Sequence, residues 1–428
     1  MMRVLTIHNY HYIGGGADYI YITTNELLKK KGHEVIPFSV DSKRNIETIY
    51  SGYFLSDLDN DNLIIKGIKR IERTFYSLEA KKKIERLINE CSPDIAHLHN
   101  IYGRISSSIL DVIRRKGIPI IQTLHDYKLI CPVSSLLSRG KICEGCKSTR
   151  YYNCLLKRCS PFTNSLLKSA IHMVEGYLNR YILHHEDKVE CFISPSRFLK
   201  EKMIEFGLSE EKIVHIPNFI YINKYKPNFY FDNYLVYFGR LSYEKGIDIL
   251  IKAMKGISGI DLLIVGNGPN YRDYIKLIQD MGIKNIRFLG YRGGDELHGL
   301  VRNALCSIMP SRWYENNPLS IIESFALGTP AIGTDIGGIP ELINEWEDGL
   351  LCEPCSIEDL RDKINDLINN KGKIKGMGEN ARKKVEERYS PSIFYERLIR
   401  LYDKLTNNYR FSDNKLHKDR GRNPSKAY

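Results

Sequence analysis

Two glutamates, Glu315 and Glu323, stand eight positions apart in the segment SRWYENNPLSIIESFALGTP, with Pro318 between them. Proline disfavours helix at the residue before it and suits the first turn, so the sequence predicts a helix that starts near Pro318. The first amides of a helix carry partial positive charge, which favours a phosphate. These amides belong to Leu319, Ser320 and Ile321. The segment therefore suits a diphosphate with a carboxylate on either side for sugar hydroxyls, although an ordinary capped helix would show the same pattern.

Two cations in the segment YFGRLSYEKG are a second candidate for phosphate binding. Arg240 follows a predicted strand and Lys245 comes five positions later. A guanidinium binds phosphate oxygens through two donors, and an ammonium adds a point charge. In LLIVGNGPN, Gly266 and Gly268 also follow a strand and allow close approach of the backbone to a ligand. The third glycine of a dinucleotide-binding loop is missing there, which argues against a nicotinamide cofactor.

Glycines and a histidine in the N-terminal half follow predicted strands as well. The run GGG at residues 14–16, which includes Gly15 and Gly16, comes after the first strand, and His125 ends the strand of QTLHDY. Functional residues gather at the carboxyl ends of parallel strands. A lone histidine is more often structural, but this position favours a role in a site. The glycine pair in TDIGGIPEL fits either another amide-lined turn or a simple loop.

The elements that would position these residues form two successive α/β repeats. Short apolar runs alternate with helical stretches from MRVLTIH to IVHIPNF, and the alternation restarts at YLVYFGRL. This pattern predicts parallel sheets with helices on both faces. We expect an α/β fold of two Rossmann-like, doubly wound domains, at residues 1–222 and 223–390, whose ligands bind in the cleft between them. A helix at 391–408 is expected to pack back, followed by a basic, disordered tail at 409–428.

Together the motifs resemble those of glycosyltransferase family 4, which has the two-domain GT-B architecture. The resemblance covers residues 1 to about 405 and rests on ENNPLSIIE, GRLSYEKG, VGNGP and GTPAIGTDIGGIPEL in the expected order. The segments QTLHDYKLICP and CEGC resemble a subgroup found among bacterial enzymes that build capsules, lipopolysaccharides and other exopolysaccharides. The resemblance implies a retaining transfer of a sugar from a nucleotide diphosphate sugar, such as a UDP- or GDP-sugar, to a glycan or lipid-linked hydroxyl.

The resemblance also implies roles for the candidate residues. Glu315 would lie near the reacting carbon of the donor sugar, and His125 would contact the sugar or the leaving group. Glu323 would bind the ribose. The remaining expected donor contacts are Arg240, Lys245, Gly15, Gly16, Gly266, Gly268, Tyr291, Leu319, Ser320 and Ile321. No cofactor is expected for catalysis, because fixed cations and dipoles would stabilise the leaving phosphate. Readings left open are a non-catalytic nucleotide-sugar-binding protein and a sugar epimerase of the same fold. A phosphorylase of that fold should carry a pyridoxal-binding lysine motif, which is not found in the sequence.

Five of the ten cysteines crowd residues 131–159, within a predicted insertion of about residues 131–160. Four of them follow the pattern C-x2-C-x7-C-x4-C: Cys143, Cys146, Cys154 and Cys159. Closely spaced cysteines in a cytosolic protein indicate metal more than disulfides, and a tetrahedral zinc site would order such an insertion. An iron–sulfur cluster and free thiols remain alternatives, and Cys131 would be a spare thiol or replace one of the four.

The charge of the chain bears on its partners and its location. The formal net charge is +12, and the excess lies in residues 1–212 and 409–428. We expect a cytoplasmic protein, because the first residues lack a signal peptide and no apolar run is long enough to span a bilayer. The basic stretch from Lys66 to Glu90 predicts an amphipathic helix suited to an anionic membrane surface or to solvent. No basic–aromatic motif supports a nucleic acid partner.

Overall fold

The N-terminal half is built on a parallel sheet. The computed structural model describes residues 1–58, 63–159 and 165–420. The strands of this half are β1 (Arg3–Ile7), β2 (Glu34–Phe38), β3 (Ile95–Leu98), β4 (Ile120–Thr123), β5 (Leu137–Ser138), β6 (Lys141–Ile142), β7 (Cys191–Ser194) and β8 (Ile213–His215). A six-stranded sheet has the order β2-β1-β3-β4-β7-β8, and β5 and β6 form a separate antiparallel hairpin. The strand order reverses direction between β1 and β3.

The C-terminal half repeats the design with a second sheet. Its strands are β9 (Tyr234–Phe238), β10 (Asp261–Val265), β11 (Ile286–Gly290), β12 (Cys306–Met309), β13 (Ala331–Thr334) and β14 (Gly349–Cys352). All six are parallel, in the order β11-β10-β9-β12-β13-β14. This corresponds to the 3-2-1-4-5-6 order of doubly wound nucleotide-binding sheets, whose ligands bind where the order reverses. The reversal lies between β9 and β12, and the predicted fold class is confirmed.

Helices cover both faces of each sheet. The helices are α1 (Gly16–Lys30), α2 (Leu63–Phe75), α3 (Leu78–Cys91), α4 (Leu110–Arg115), α5 (Tyr152–Leu156), α6 (Leu166–Tyr177), α7 (His185–Lys188), α8 (Arg197–Glu205), α9 (Ile247–Ala253), α10 (Tyr271–Met281), α11 (Gly294–Arg302), α12 (Leu319–Ala326), α13 (Ile357–Asn369), α14 (Lys371–Arg388) and α15 (Pro391–Arg420). Successive side chains of a strand point to opposite faces of the sheet and pack into different hydrophobic clusters. Tyr237 packs on one face of the second sheet, and Val236 and Phe238 pack on the other. Strands buried on both faces explain the continuous apolar runs in the sequence.

The last helix returns to the first sheet. Phe394 of α15 packs against Phe219 with ring centroids 4.4 Å apart, and Tyr402 is fully buried beside β3. The hydroxyl of Tyr402 lies 2.7 Å from Nδ1 of His97. Helix α15 runs to Arg420, beyond residue 408 where the predicted helix ended. Residues 421–428 of the predicted disordered tail lie outside the described residues.

The basic stretch at residues 66–90 forms two helices rather than the single one predicted. Its second helix, α3, begins at a new N-cap, where Ser77 Oγ accepts a hydrogen bond from the amide of Ala80. Ile68 and Ile71 on α2 are 64% and 51% exposed, so this helix keeps an uncovered apolar face. Within the described residues, no helix has the length and apolar character needed to cross a bilayer.

Candidate active site

The two predicted phosphate-binding cations lie at the reversal point of the second sheet. Arg240 and Lys245 follow β9, and the loop after the neighbouring strand β12 carries Glu315. A cavity of about 680 Å³ opens here, between this loop system and residues 13–16 of the first domain. It is lined by the predicted donor contacts Arg240, Lys245, Glu323, Gly15, Gly16, Gly266, Tyr291, Leu319 and Ser320. The fold thus brings together residues that lie more than 300 positions apart in sequence.

Glu315 is held by three donors in a buried setting. One carboxylate oxygen, Oε1, lies 2.6 Å from Lys245 Nζ, 2.7 Å from Ser311 Oγ and 2.8 Å from Trp313 Nε1. Burial by itself would raise the pKa of Glu315, but the Lys245 ammonium and these hydrogen bonds outweigh it and hold the pKa below its ordinary value. Glu315 is therefore an ionised carboxylate at neutral pH, fixed directly beside the predicted diphosphate lysine.

Close backbone packing holds the loop that carries Glu315. A Cβ on Gly337 would lie 2.5 Å from Glu315 O, and one on Gly338 would lie 1.8 Å from Asn316 O. The amide of Gly338 donates to Glu315 O at 2.7 Å. Of the two readings of the glycine pair, the structure supports a packing role, because any side chain would push the loop away. From the first domain, Ser196 Oγ donates to Asn316 Oδ1 at 3.0 Å.

Glu323 has a different environment on α12. Its Oε1 accepts a hydrogen bond from Tyr225 at 2.9 Å, and Tyr19 of α1 lies against Tyr225 and Glu323. Burial raises the pKa of Glu323 to about 7, and the Tyr225 hydrogen bond only partly opposes this effect. The two glutamates of the motif therefore differ in charge near neutrality, since Glu315 stays ionised while Glu323 is half protonated. Sequence reasoning missed both tyrosines.

His125 lies after β4, where it lines a second cavity of about 220 Å³ together with Gly16, Lys245 and Glu315. This cavity adjoins the larger one through residues that line both. His125 Nε2 lies 2.7 Å from His99 Nδ1, and the two rings are stacked with centroids 5.0 Å apart. Burial, with smaller contributions from His8 and His97, holds the pKa of His125 well below its ordinary value. His125 is thus neutral and has one ring nitrogen committed to His99.

Two predicted donor contacts line neither cavity. The carbonyl of Leu241 would lie 2.3 Å from a Cβ on Gly268, so glycine is required there for packing between loops. The side chain of Ile321 is 1% exposed, and its amide donates to Pro318 O at 3.2 Å. At the start of α12, Leu319 and Ser320 are therefore the residues that face the larger cavity.

The cysteine-rich insertion reaches from the first domain to the Glu315 loop. Glu144, in the middle of the CEGC motif, accepts a hydrogen bond from the Tyr314 hydroxyl at 2.9 Å and pairs with Lys202 at 2.7 Å. The hydroxyl of Tyr127 donates to Tyr314 O at 3.1 Å. Tyr314 directly precedes Glu315, so the insertion helps to position the loop. No sequence signal connected these residues, because more than 160 positions separate them.

The cysteines of the insertion lie near one another. The thiol of Cys159 contacts those of Cys143 and Cys154, and Lys157 Nζ lies 3.3 Å from Cys143 Sγ. Burial raises the pKa of Cys146 to about 12. Among the described residues, no group of three or more His, Cys, Asp or Glu side chains is arranged to hold a metal ion. Zinc binding by these cysteines stays a prediction for direct metal analysis.

Comparisons with known proteins find glycosyltransferases that match nearly the whole chain. A glycosyltransferase of Methanocaldococcus jannaschii is 28% identical over 95% of this chain and 99% of its own length. The N-acetyl-alpha-D-glucosaminyl L-malate synthase of Bacillus anthracis is 23% identical over 91% of this chain and 93% of its own. The O-antigen chain mannosyltransferase C of Escherichia coli is 22% identical over 94% of this chain and 99% of its own.

Solved structures show the same fold. Sucrose-phosphate synthase from Thermosynechococcus elongatus superposes with a TM-score of 0.67 at 17% identity, covering 95% of this chain and all of the other. Anabaena HepE in complex with UDP superposes with a TM-score of 0.66 at 18% identity, covering 94% of this chain and all of the other. The model of the Glycosyltransferase Family 4 domain matches residues 13–224, and that of the glycosyl transferases group 1 domain matches residues 224–384. The chain therefore belongs to the family 4-like glycosyltransferases of GT-B architecture.

Proposed function

We propose that this glycosyltransferase transfers a sugar with retention of configuration from a UDP- or GDP-sugar to a hydroxyl of a glycan or lipid-linked saccharide. The observation that carries the proposal is the single cavity in which Arg240, Lys245 and the start of α12 face Gly15 and Gly16. A cavity of about 680 Å³ lies within the range of small-molecule sites. One wall of the cavity is cationic, and the opposite wall is the glycine backbone of residues 14–16, a combination that suits a sugar diphosphate.

The leaving group would be stabilised by charges that are already in place. When the bond between the anomeric carbon and the phosphate oxygen breaks, the nucleoside diphosphate gains negative charge. Arg240, Lys245 and the N-terminal dipole of α12 would offset this charge without reorganising. Lys245 is paired with Glu315, so a bound diphosphate would share the ammonium with that carboxylate. We propose that catalysis needs no further cofactor.

The sugar would lie where the two cavities adjoin, between Glu315 and His125. The acceptor oxygen bonds to the anomeric carbon and loses its proton, for which the departing phosphate is the proposed base. Glu315 would stabilise the positive charge that develops on the sugar ring, and neutral His125 would hydrogen-bond the sugar or the leaving group. Glu323 would accept hydrogen bonds from the ribose. One glutamate thus serves the sugar and the other the nucleoside, so the pair is unlike that of a glycosidase.

Donor turnover tests this function directly. UDP-, GDP- and ADP-sugars are incubated with the protein, and release of the nucleoside diphosphate is measured for the wild type, Glu315→Gln and the exposed control Glu353→Gln. We expect one donor class to turn over, a loss of at least a hundredfold in Glu315→Gln, and no change in the control. Retention is checked by NMR of the anomeric proton in the product. A protein that turns over none of these donors, or whose Glu315→Gln variant is fully active, would refute the proposal.

We also propose a setting for the reaction. The relationship to the O-antigen mannosyltransferase of Escherichia coli supports a role in cell-surface polysaccharide synthesis. Acceptors of such pathways built on lipid carriers would place the enzyme at the cytoplasmic face of the membrane. The exposed Ile68 and Ile71 of α2 and the basic residues of the same helix would suit an anionic surface. Co-sedimentation with anionic but not neutral vesicles, lost in Ile68→Ser/Ile71→Ser, would support this placement, and equal binding to both would contradict it.

A further inference from the structure

Two tyrosines and two arginines gather at one edge of the first sheet. Tyr10 and Tyr12 follow β1, Arg44 follows β2, and Arg104 follows β3. These three strands are neighbours in the order β2-β1-β3, so the loops at their carboxyl ends meet at one place. We call these four residues the arginine–tyrosine platform. It lies in the N-terminal half, which carries most of the excess positive charge of the chain.

The platform holds both guanidinium groups in a defined geometry. Arg44 Cζ lies 4.1 Å from the ring centroid of Tyr12, and Arg104 Cζ lies 4.6 Å from that of Tyr10. The two tyrosine rings lie 5.2 Å apart. Contact with an aromatic face orients the planar guanidinium and leaves N–H groups at its edges for an anion. Both arginines are exposed, and within the described residues neither side chain has a hydrogen bond or an ion pair.

The platform adjoins the proposed reaction centre. The ring of Tyr12 would lie 3.4 Å from a Cβ on Gly14, which lines the larger cavity. The ring of Tyr10 lies 6.4 Å from that of His8, which is in turn 6.4 Å from that of His125. The donor nucleotide would occupy the opposite wall, around Arg240. A molecule on the platform would therefore approach the donor sugar from the first domain.

We propose that the arginine–tyrosine platform is an acceptor subsite for a saccharide that carries a phosphate or carboxylate group. Bidentate hydrogen bonds from Arg44 and Arg104 bind the anionic group, and the rings of Tyr10 and Tyr12 keep the guanidinium groups in place. The acceptor is selected by its charge as well as by its hydroxyl. This inference rests on the proposed function, since it names the chemical class of the second substrate.

Binding measurements with matched variants test the subsite. Isothermal titration is performed on the protein saturated with UDP or GDP, using glucose 6-phosphate, glucose 1-phosphate, glucuronic acid and methyl glucoside as probes. The double variant Arg44→Gln/Arg104→Gln is compared with Lys43→Gln/Lys116→Gln, which removes two exposed charges of the same domain. We expect an anionic probe to bind at least about tenfold more tightly than methyl glucoside, and this preference to disappear in the arginine variant only. Comparison of the phosphate probes with the carboxylate probe shows which of the two anionic groups the subsite binds more tightly.

The outcomes distinguish this inference from the proposed function. Equal binding of charged and neutral probes, or equal losses in both double variants, would overturn the anionic subsite while nucleotide binding still supports a transferase. Absence of UDP and GDP binding in the wild type would overturn the proposed function itself. Unchanged nucleotide affinity and melting temperature in the arginine variant would show that the fold and the donor site remain intact. Tyr12→Leu should weaken binding of the anionic probe several-fold, because the aromatic ring beneath Arg44 is lost.

Discussion

Replacing Glu323 with glutamine should stabilise the protein above neutral pH much more than below it. The pKa of Glu323 is raised by burial from its ordinary 4.5 to about 7. Between these values the folded carboxyl keeps a proton that the unfolded one has lost, so this group lowers the stability of the wild type as the pH rises from about 4.5 to 7. Glutamine does not titrate, so the variant does not lose this folding stability as the pH rises.

The magnitude follows from the two pKa values. The fully expressed penalty is about 3 kcal/mol, and about 2.5 kcal/mol of it develops between pH 5 and pH 8. For a chain of 428 residues that unfolds as a unit, a difference of about 2.5 kcal/mol corresponds to about 3 °C in melting temperature. Scanning calorimetry of the wild type and Glu323→Gln at both pH values measures the difference. The exposed Glu353→Gln should show no such change between the two pH values.

A stability advantage of Glu323→Gln that is equal at pH 5 and pH 8, or that shrinks at pH 8, would refute the reasoning.

The titration of Glu323 also predicts that the affinity for UDP depends on pH. A ribose hydroxyl donates to the ionised form, so UDP should bind several-fold more tightly to the wild type at pH 8 than at pH 6, beyond any change in Glu323→Gln. If wild type and variant share one pH profile for UDP affinity, Glu323 does not contact the nucleotide.

Three further predictions concern groups around the proposed reaction centre. Tyr314→Phe removes the hydrogen bond to Glu144 and should lower kcat several-fold with little change in UDP affinity; unaltered kcat would show that the insertion does not position the loop. His99→Leu leaves the buried nitrogen of His125 without its partner, which should cost about 1–3 kcal/mol of stability and slow transfer at least tenfold, whereas wild-type rates would argue against that contact. Metal analysis of the purified protein should find about one zinc per chain, lost when the cysteines at 143–159 become serine, and a metal-free wild type would exclude zinc.

The sequence predicted the order of elements well, because parallel strands buried on both faces leave continuous apolar runs. The start of α12 followed from the fixed geometry of Pro318. The helix after Lys66 was predicted as one element, since apolar periodicity continues through the break and only the Ser77 cap marks it. The extent of α15 was also underestimated, because the polar composition of residues 409–420 gave no apolar stripe to follow.

The candidate site was only partly predictable. Carboxylates and cations next to glycine loops can be recognised from the local sequence, and in the structure these residues line one cleft. The hydrogen bonds that set their charge come from residues distant in sequence. Tyr225 lies in a polar segment between the domains, where the sequence pattern does not indicate a site, yet its hydroxyl hydrogen-bonds Glu323. The ion pair of Lys245 with Glu315 likewise required the folded loops, since 70 positions separate the two residues.

The claim that a nucleoside diphosphate is bound between the two domains is tested most directly by calorimetric titration of UDP and GDP. The wild type is compared with Arg240→Gln/Lys245→Met and with Arg272→Gln/Lys276→Gln, a control that removes two exposed charges from α10. We predict that one nucleotide binds the wild type and the control equally and binds the Arg240/Lys245 variant at least a hundredfold more weakly. Equal affinities in all three proteins, or no binding to the wild type, would contradict the account.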